Sequence, residues 1–486
     1  MSESTTGENT TVGTVGGALQ QDRAIQDGID ALVERVMEHN RSITDTRPPK
    51  PELAESFKDL LERSGAVKGR GLLYPAIGSG AGNGALVEMA DGSVKWDMLT
   101  GIGVHFLGHG HPGVIRAQMV AGINETSKHG NLQSNFDAYA FGEKLVKLAS
   151  RGSNLKHAFL TTSGAMANES ALKVCYQKHA PASRVLAFEH CFMGRSVTMA
   201  QIGDSAGGRQ GLPLSTQVDY LPFFNQAIAD EKFGGTTGFI DHAVAQLRQY
   251  IERYPKQHAC FIFELVQGEG GFNVAKRDFL KALMDVCRDS GIAVWDDEIQ
   301  SFGRTESMFA YEMYDLGEYV DVLCVGKMTQ ACAALFTERY NPKAGLLSGT
   351  FTGTTSDFTV GNLLLDELDS GDYYGPKGRF AVHHAEFRAQ VSKLISKHPD
   401  WFPPAPETKE LMGGVGGMMK LTPFGGDKDK IMKACKYAYD EGVICFWCGH
   451  GPFHVRMLPP LPVMKMEDWP RVFGCLERAL ARVAAE

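Results

Sequence analysis

Four places in the chain put reactive side chains at the ends of runs that read as β-strands. Ser163-Gly164-Ala165 follows LKHAFLTT (155–162), Glu264 closes the apolar part of HACFIFELV (258–266), Asp297-Glu298 ends IAVWDDE, and Lys327 follows DVLCVG. Glu264, Asp297 and Lys327 are each separated by roughly thirty residues, the length of one β-α-β step. In an open parallel sheet, ligands collect at the carboxyl ends of the strands, so these positions converge on one place. Taken singly, Ser163 reads as a helix cap and Asp297 as a paired carboxylate. Lys327 is harder to explain as a surface residue, because it follows the apolar run Val322-Leu323-Cys324-Val325-Gly326. A lysine in a dry, apolar setting sheds its proton readily and attacks carbonyls.

The elements that must hold these residues alternate in type. The strand 155–162 precedes a helical run from Ala165 to about Gln177, and the strand 258–266 precedes a helix over 279–291 that stops at Gly291. Strands alternating with helices predict an α/β fold, a parallel sheet covered on both faces. Upstream, Ile25, Ile29, Leu32, Val33 and Val36 recur at helical spacing. A second helix carries Leu53, Phe57, Leu60 and Leu61 on one face, with Gly65 placed to cap it. ALVEMADGSVKWDM predicts a hairpin turning at Asp91-Gly92. From about residue 370 helices mix with short strands, the glycine run 413–417 and a Pro459-Pro460 break, which reads as a second domain.

Together, a helix-terminal cradle for phosphate, a carboxylate for a pyridine nitrogen and a nucleophilic lysine are what pyridoxal 5'-phosphate requires. The combination is far more specific than its parts. Competing signals are weaker. Cys445-Phe-Trp-Cys448 with His450 nearby lacks a second cysteine pair for zinc. His105, His109 and His111 fall in a turn entering a helix, so no metal site is expected. Gly78, Gly80, Gly82 and Gly84 miss the GxGxxG pattern of dinucleotide sites, because Asn83 and Ala85 interrupt it.

Composition narrows the class further. Of 486 residues 55 are glycine, about 11% against a usual share of roughly 7%, in a chain that is otherwise ordinarily apolar. That glycine must serve turns and close backbone approaches. Net charge is −8, with no basic stripe of the kind nucleic acid needs. No apolar run reaches the ~18 residues of a membrane span. Residues 1–20 are polar, lack a signal-peptide pattern and read as a disordered tail. Ten scattered cysteines fit a reducing compartment, so the expected location is cytoplasmic.

The chain over roughly 70–486 resembles the class III, or ω-amino-acid, aminotransferases of pyridoxal-phosphate fold type I. The resemblance rests on GVHFLGHGHPGVIRA, TTSGAMANESALK, FEHCFMGRSV, FELVQGEGGF, VWDDEIQSFGRT, VLCVGK, GTFTG and FHVRMLPPL, in family order. It implies a large domain over 120–365 with a mostly parallel sheet. It also implies a small α+β domain over 366–486, to which the segment 21–119 contributes. By resemblance, Lys327 is the Schiff-base lysine, Asp297 the partner of the pyridine nitrogen, and Gln300 the neighbour of the ring hydroxyl. Ser163, Gly164 and Ala165 hold the phosphate, Phe192 stacks on the ring, and Glu264 completes the cofactor set. Thr350 reaches the phosphate bound in the neighbouring subunit of a homodimer. Arg456 grips an α-carboxylate, Arg195 a distal one, and Glu269 masks Arg456 when an ω-amino donor is bound. The implied reaction moves an amino group from acetylornithine, ornithine, lysine or 4-aminobutyrate to 2-oxoglutarate by a ping-pong mechanism. An aminomutase or racemase with the same cofactor, or a non-catalytic regulator of the same fold, are the alternatives. Met166, Met193, the Met-Thr-Gln after Lys327 and Thr354-Thr355 depart from the family's usual residues.

Overall fold

The computed structural model describes residues 13–486. The expected tail over 1–20 lies outside the described residues for its first part, and the remainder is ordered: Val15–Gln21 is a helix capped by Thr14. Arg23–Asn40 follows as the amphipathic helix expected there, burying Ile29 and Val33. The next helix, Ala54–Lys68, runs past Gly65 and ends at Gly69, which adopts the left-handed conformation (φ 68°). Gly65 is therefore not the cap. Nothing in its setting demanded a left-handed residue, whereas Gly69 sits where the chain reverses.

A seven-stranded sheet forms the centre of the molecule. From edge to edge it runs Leu155–Thr161, Cys332–Thr337, Val322–Val325, Ala293–Glu298, His258–Phe263, Arg184–Phe188 and Gln217–Leu221. Six strands point one way and Cys332–Thr337 runs against its two neighbours. His258–Phe263, Ala293–Glu298, Val322–Val325 and Cys332–Thr337 are buried along their whole length. Helices on both faces explain why these strands read as continuous apolar runs. One cover is Arg277–Ser290, which buries Phe279, Leu280, Leu283, Met284, Val286 and Cys287 and ends at left-handed Gly291, as expected.

Two four-stranded sheets flank this core. The first joins Gly78–Asn83, Leu86–Met89 and Val94–Asp97 to the distant Val443–Ile444, which pairs parallel to Val94–Asp97. Its hairpin turns at Gly92 (φ 76°), as the Asp-Gly pair predicts. Gly78–Asn83 is an edge strand rather than a phosphate loop. A Cβ on Gly82 would meet His109 Cβ at 2.5 Å, so part of the glycine surplus lets two segments touch. The second sheet runs Met412–Val415, Met418–Leu421, His454–Met457, Phe446–Cys448. The glycine run 413–417 makes the hairpin between its first two strands. All ten cysteines are buried and unpaired, Cys445 and Cys448 included, and no metal-binding cluster exists among the described residues. No described helix is long and apolar enough to cross a membrane.

Candidate active site

Adjacent central strands aim the two most telling side chains. In the parallel pairing of Ala293–Glu298 with Val322–Val325, Asp297 lies opposite Cys324, so Asp297 and Lys327 leave the same sheet edge side by side. Both line a cavity of about 760 Å³, together with Ser163, Gly164, Ala165, Phe192, Arg195, Glu264, Glu269 and Gln300. Ten of the twelve expected site residues thus meet in one place.

The helix Gly164–His179 begins at this cavity, and its N-cap Ser163 accepts the Met166 N–H at 3.3 Å. A Cβ on Gly164 would lie 2.7 Å from Ile299, so glycine lets the helix start close against the strand end. Unpaired N–H groups at such a start bind phosphate. Asp297 is buried and fixed from two sides, accepting from Asn168 Nδ2 at 2.7 Å and from the Ile299 N–H at 3.0 Å. Burial raises its carboxyl to about 6, against the pull of those two bonds and of Lys327. Lys327 occupies a left-handed backbone (φ 49°), a conformation of the kind found where function holds a residue against its preference. Burial lowers its amine to about 8, with Glu269 and Asp297 opposing the shift and Arg456 and Arg304 assisting it.

Glu264 ties two loops together. It accepts from the Phe192 N–H at 2.9 Å and the Gly268 N–H at 3.0 Å, and burial followed by Asp297 raises it to about 8. Gln300 is buried, and neither its Nε2 nor its Oε1 has a partner among the described residues. Arg195 extends over the Phe192 ring, 5.2 Å from its centre.

Two expected residues stand apart from the lining. Arg456, from the strand His454–Met457, is fully buried behind Glu269 and donates from Nη1 to Glu269 Oε1 at 2.6 Å. Its Nε and Nη2 have no described partner. Burial raises Glu269, but Arg456 outweighs it and holds the carboxyl below its usual range. Thr350 lies in the exposed loop before Gly353–Thr354 and does not line the cavity of its own chain.

The geometry also supplies residues that motif reading passed over. Asn168 holds both Asp297 and the Met193 carbonyl, the latter at 2.8 Å. Its signal was a lone amide among Ala165, Ala167 and Ala171 on the inward face of a helix. His105, Gln330 and Asp357 line the cavity as well. His109, one turn of sequence away, pairs instead with Asp97 at 2.9 Å. Arg304 is buried behind Gln300 and donates to the Gly103 carbonyl.

This arrangement offers an amine that titrates at about 8, a fixed carboxylate, an anion cradle and a carboxylate-paired guanidinium. Comparison with known proteins gives the same reading. Residues 76–480 match the family model described as aminotransferase class-III. The chain belongs to the class III aminotransferases. It is 27% identical over 425 residues to a 4-aminobutyrate aminotransferase of Mycobacterium bovis, covering 82% of this chain and 90% of that protein. An acetylornithine aminotransferase of Agrobacterium fabrum is 27% identical over 420 residues, covering 83% and 94%. Lysine aminotransferase from M. tuberculosis, solved in the internal aldimine form, shares the fold with a TM-score of 0.75 at 21% identity, over 87% and 99%. The class III aminotransferase described here is accordingly a pyridoxal-phosphate enzyme of fold type I.

Proposed function

We propose that this aminotransferase moves the amino group of an ω-amino acid to 2-oxoglutarate in two half-reactions on one site, as a homodimer in the cytoplasm. The observation that carries the reading is the pairing of Lys327 and Asp297 at neighbouring strand ends beside an unpartnered Gln300 amide and a Glu269-masked Arg456. Bound pyridoxal phosphate supplies a carbonyl that takes and returns the amino group, and a ring that draws electrons from the substrate carbon.

The protein does the rest. The amides at Gly164 and Ala165, with Ser163, bind the phosphate, and the unpartnered Gln300 amide has capacity left for the ring hydroxyl. Phe192 covers one face of the ring, on a loop that Glu264 holds through the Phe192 N–H. Asp297, fixed by Asn168, keeps a proton on the pyridine nitrogen. Lys327 Nζ would be the covalent anchor and, once displaced, the base that takes a proton from the donor carbon and delivers it to the carbon on the other side of the amino nitrogen.

Arg456 and Glu269 give the site two faces. Paired, they present a neutral wall that suits the methylene next to an ω-amine. Parted, Arg456 is free to take the α-carboxylate of glutamate or 2-oxoglutarate in a bidentate grip, while Arg195 takes the far carboxylate. Opposite charges held at 2.6 Å are a switch only if the substrate carboxylate repays the lost ion pair.

A donor panel tests the proposal. Holoenzyme is mixed with 4-aminobutyrate, ornithine, acetylornithine or lysine plus 2-oxoglutarate, and glutamate is measured. Glutamate from at least one ω-amino donor, lost in Lys327→Ala, is the expected result. Rearrangement or epimerisation of a donor without glutamate would replace the transaminase reading with a mutase or racemase.

A further inference from the structure

A second chamber of about 430 Å³ adjoins the cavity that holds Lys327. Phe192, Gly194, Arg195 and Glu269 line both volumes, so they meet where the far end of a substrate would lie. Beyond Arg195 the chamber is walled by Lys428, Trp447, His450 and Phe453.

Three observations set its chemistry. The first is charge. Glu269 is the only carboxylate in the lining, and Arg456 already holds it. Among the described residues, Arg195 and Lys428 form no hydrogen bond or ion pair; Lys428 lies over the Phe453 ring, and Arg195 lies over the Phe192 ring and adds to the positive charge that lowers Glu269. The second is shape. The segment facing the aromatics carries Gly203, Gly207 and Gly208, which leave the space unfilled, and a Cβ on Gly208 would already stand 3.0 Å from Arg195 Nη1. The third is surplus. A five-carbon diacid spanning Arg456 and Arg195, as proposed above, would leave the part of the chamber walled by Lys428, Trp447 and Phe453 unused.

We propose that the chamber is a distal substrate subsite for an amino donor longer than five carbons, bearing a terminal carboxylate that Lys428 receives and a spacer that lies against Trp447. The proposal rests on the aminotransferase reading and narrows its donor class. Free cations in a partly enclosed cleft attract carboxylates, and a half-buried tryptophan face binds an apolar or planar spacer.

Binding of dicarboxylates to the holoenzyme, followed by titration calorimetry, tests it apart from turnover. The probes are glutarate, adipate, pimelate and suberate, with octanoate as the singly charged control. Affinity is expected to rise from glutarate to suberate. Lys428→Ala should weaken suberate about three- to fivefold, the range of a partly exposed ion pair, and Lys428→Arg should retain it. Glutarate should bind both variants as it binds wild type. Affinity independent of length, octanoate binding as well as suberate, or suberate indifferent to Lys428→Ala would each overturn the subsite. Suberate binding through Lys428 in a holoenzyme that makes no glutamate from any donor would leave the subsite standing and remove the transaminase reading.

Discussion

At the scale of single residues, the site is a study in burial working on charge. Lys327 is the sharpest case, with its amine brought down to about 8. Reaction of the cofactor-free chain with pyridoxal phosphate should therefore speed up through pH 8 and level off soon after. An ordinary lysine would keep accelerating past pH 10, so at pH 8 Lys327 should react roughly a hundredfold faster. Stopped-flow absorbance measures this, and a midpoint near 10 would contradict it. Asp296, one residue from Asp297, faces the opposite side of the strand and is fully buried beside Glu298. Burial, then Glu298, pushes its carboxyl well above the usual range, so the folded protein keeps the proton that the unfolded chain releases. A folded state that binds the extra proton loses stability as pH rises beyond the unfolded carboxyl's titration. Asp296→Asn removes that loss. Its melting temperature should gain on wild type steadily from pH 5 to pH 8 in calorimetry, and a constant offset would refute the assignment.

At the scale of elements, short backbone approaches decide what the strands can present. Gly416 has φ 56°, and a Cβ there would land on the Arg304 carbonyl oxygen, which also accepts the Gly417 N–H at 2.8 Å. The turn of the Met412–Val415 and Met418–Leu421 hairpin is thus pinned to the segment following Gln300. Gly416→Ala should cost roughly 2–4 kcal/mol, summing a left-handed penalty and an overpacking penalty, as read by urea unfolding. The strands that aim Lys327 and Asp297 were legible beforehand because fully buried parallel strands read as unbroken apolar runs. Gly291 was legible as a stop because it falls just after the last periodic residue of an amphipathic helix. Gly65 was misread because a helix end depends on where the chain must turn, and its own sequence context does not state that. Asn168 was missed because its partner, Asp297, lies 129 positions along the chain. The retreat of Arg456 behind Glu269 depends on a strand pairing that no local pattern reveals.

At the scale of the whole molecule, one chain leaves its proposed site unfinished at Thr350, which is exposed and does not line its own cavity. If each site takes Lys327 from one protomer and the partner's Thr350, then two crippled variants should rescue one another. Lys327→Ala and Thr350→Ala chains, unfolded together and refolded as a mixture, should give hybrids with one intact site of two. Activity should return to about a quarter of wild type, the statistical yield for random pairing in a two-fold dimer. Recovery no greater than the sum of the separate variants would mean that each site is built from one chain alone. The match to relatives over most of their length concerns this same whole, since the paired helix start, carboxylate and lysine come from strands spread between residues 155 and 327.

The parallel pairing of Val443–Ile444 with Val94–Asp97 has a consequence for how the protein is made. The hairpin leaves the ribosome with one edge bare, and the strand that covers it follows only after every strand of the central sheet has been synthesised. At common translation speeds of about 5–20 residues per second, that edge waits roughly 20–70 s for its neighbour. An uncovered strand edge is a template for association with other chains. Nascent chains stalled before Val443 should therefore engage holding chaperones through residues 78–97, and release them once the carboxyl-terminal strand emerges.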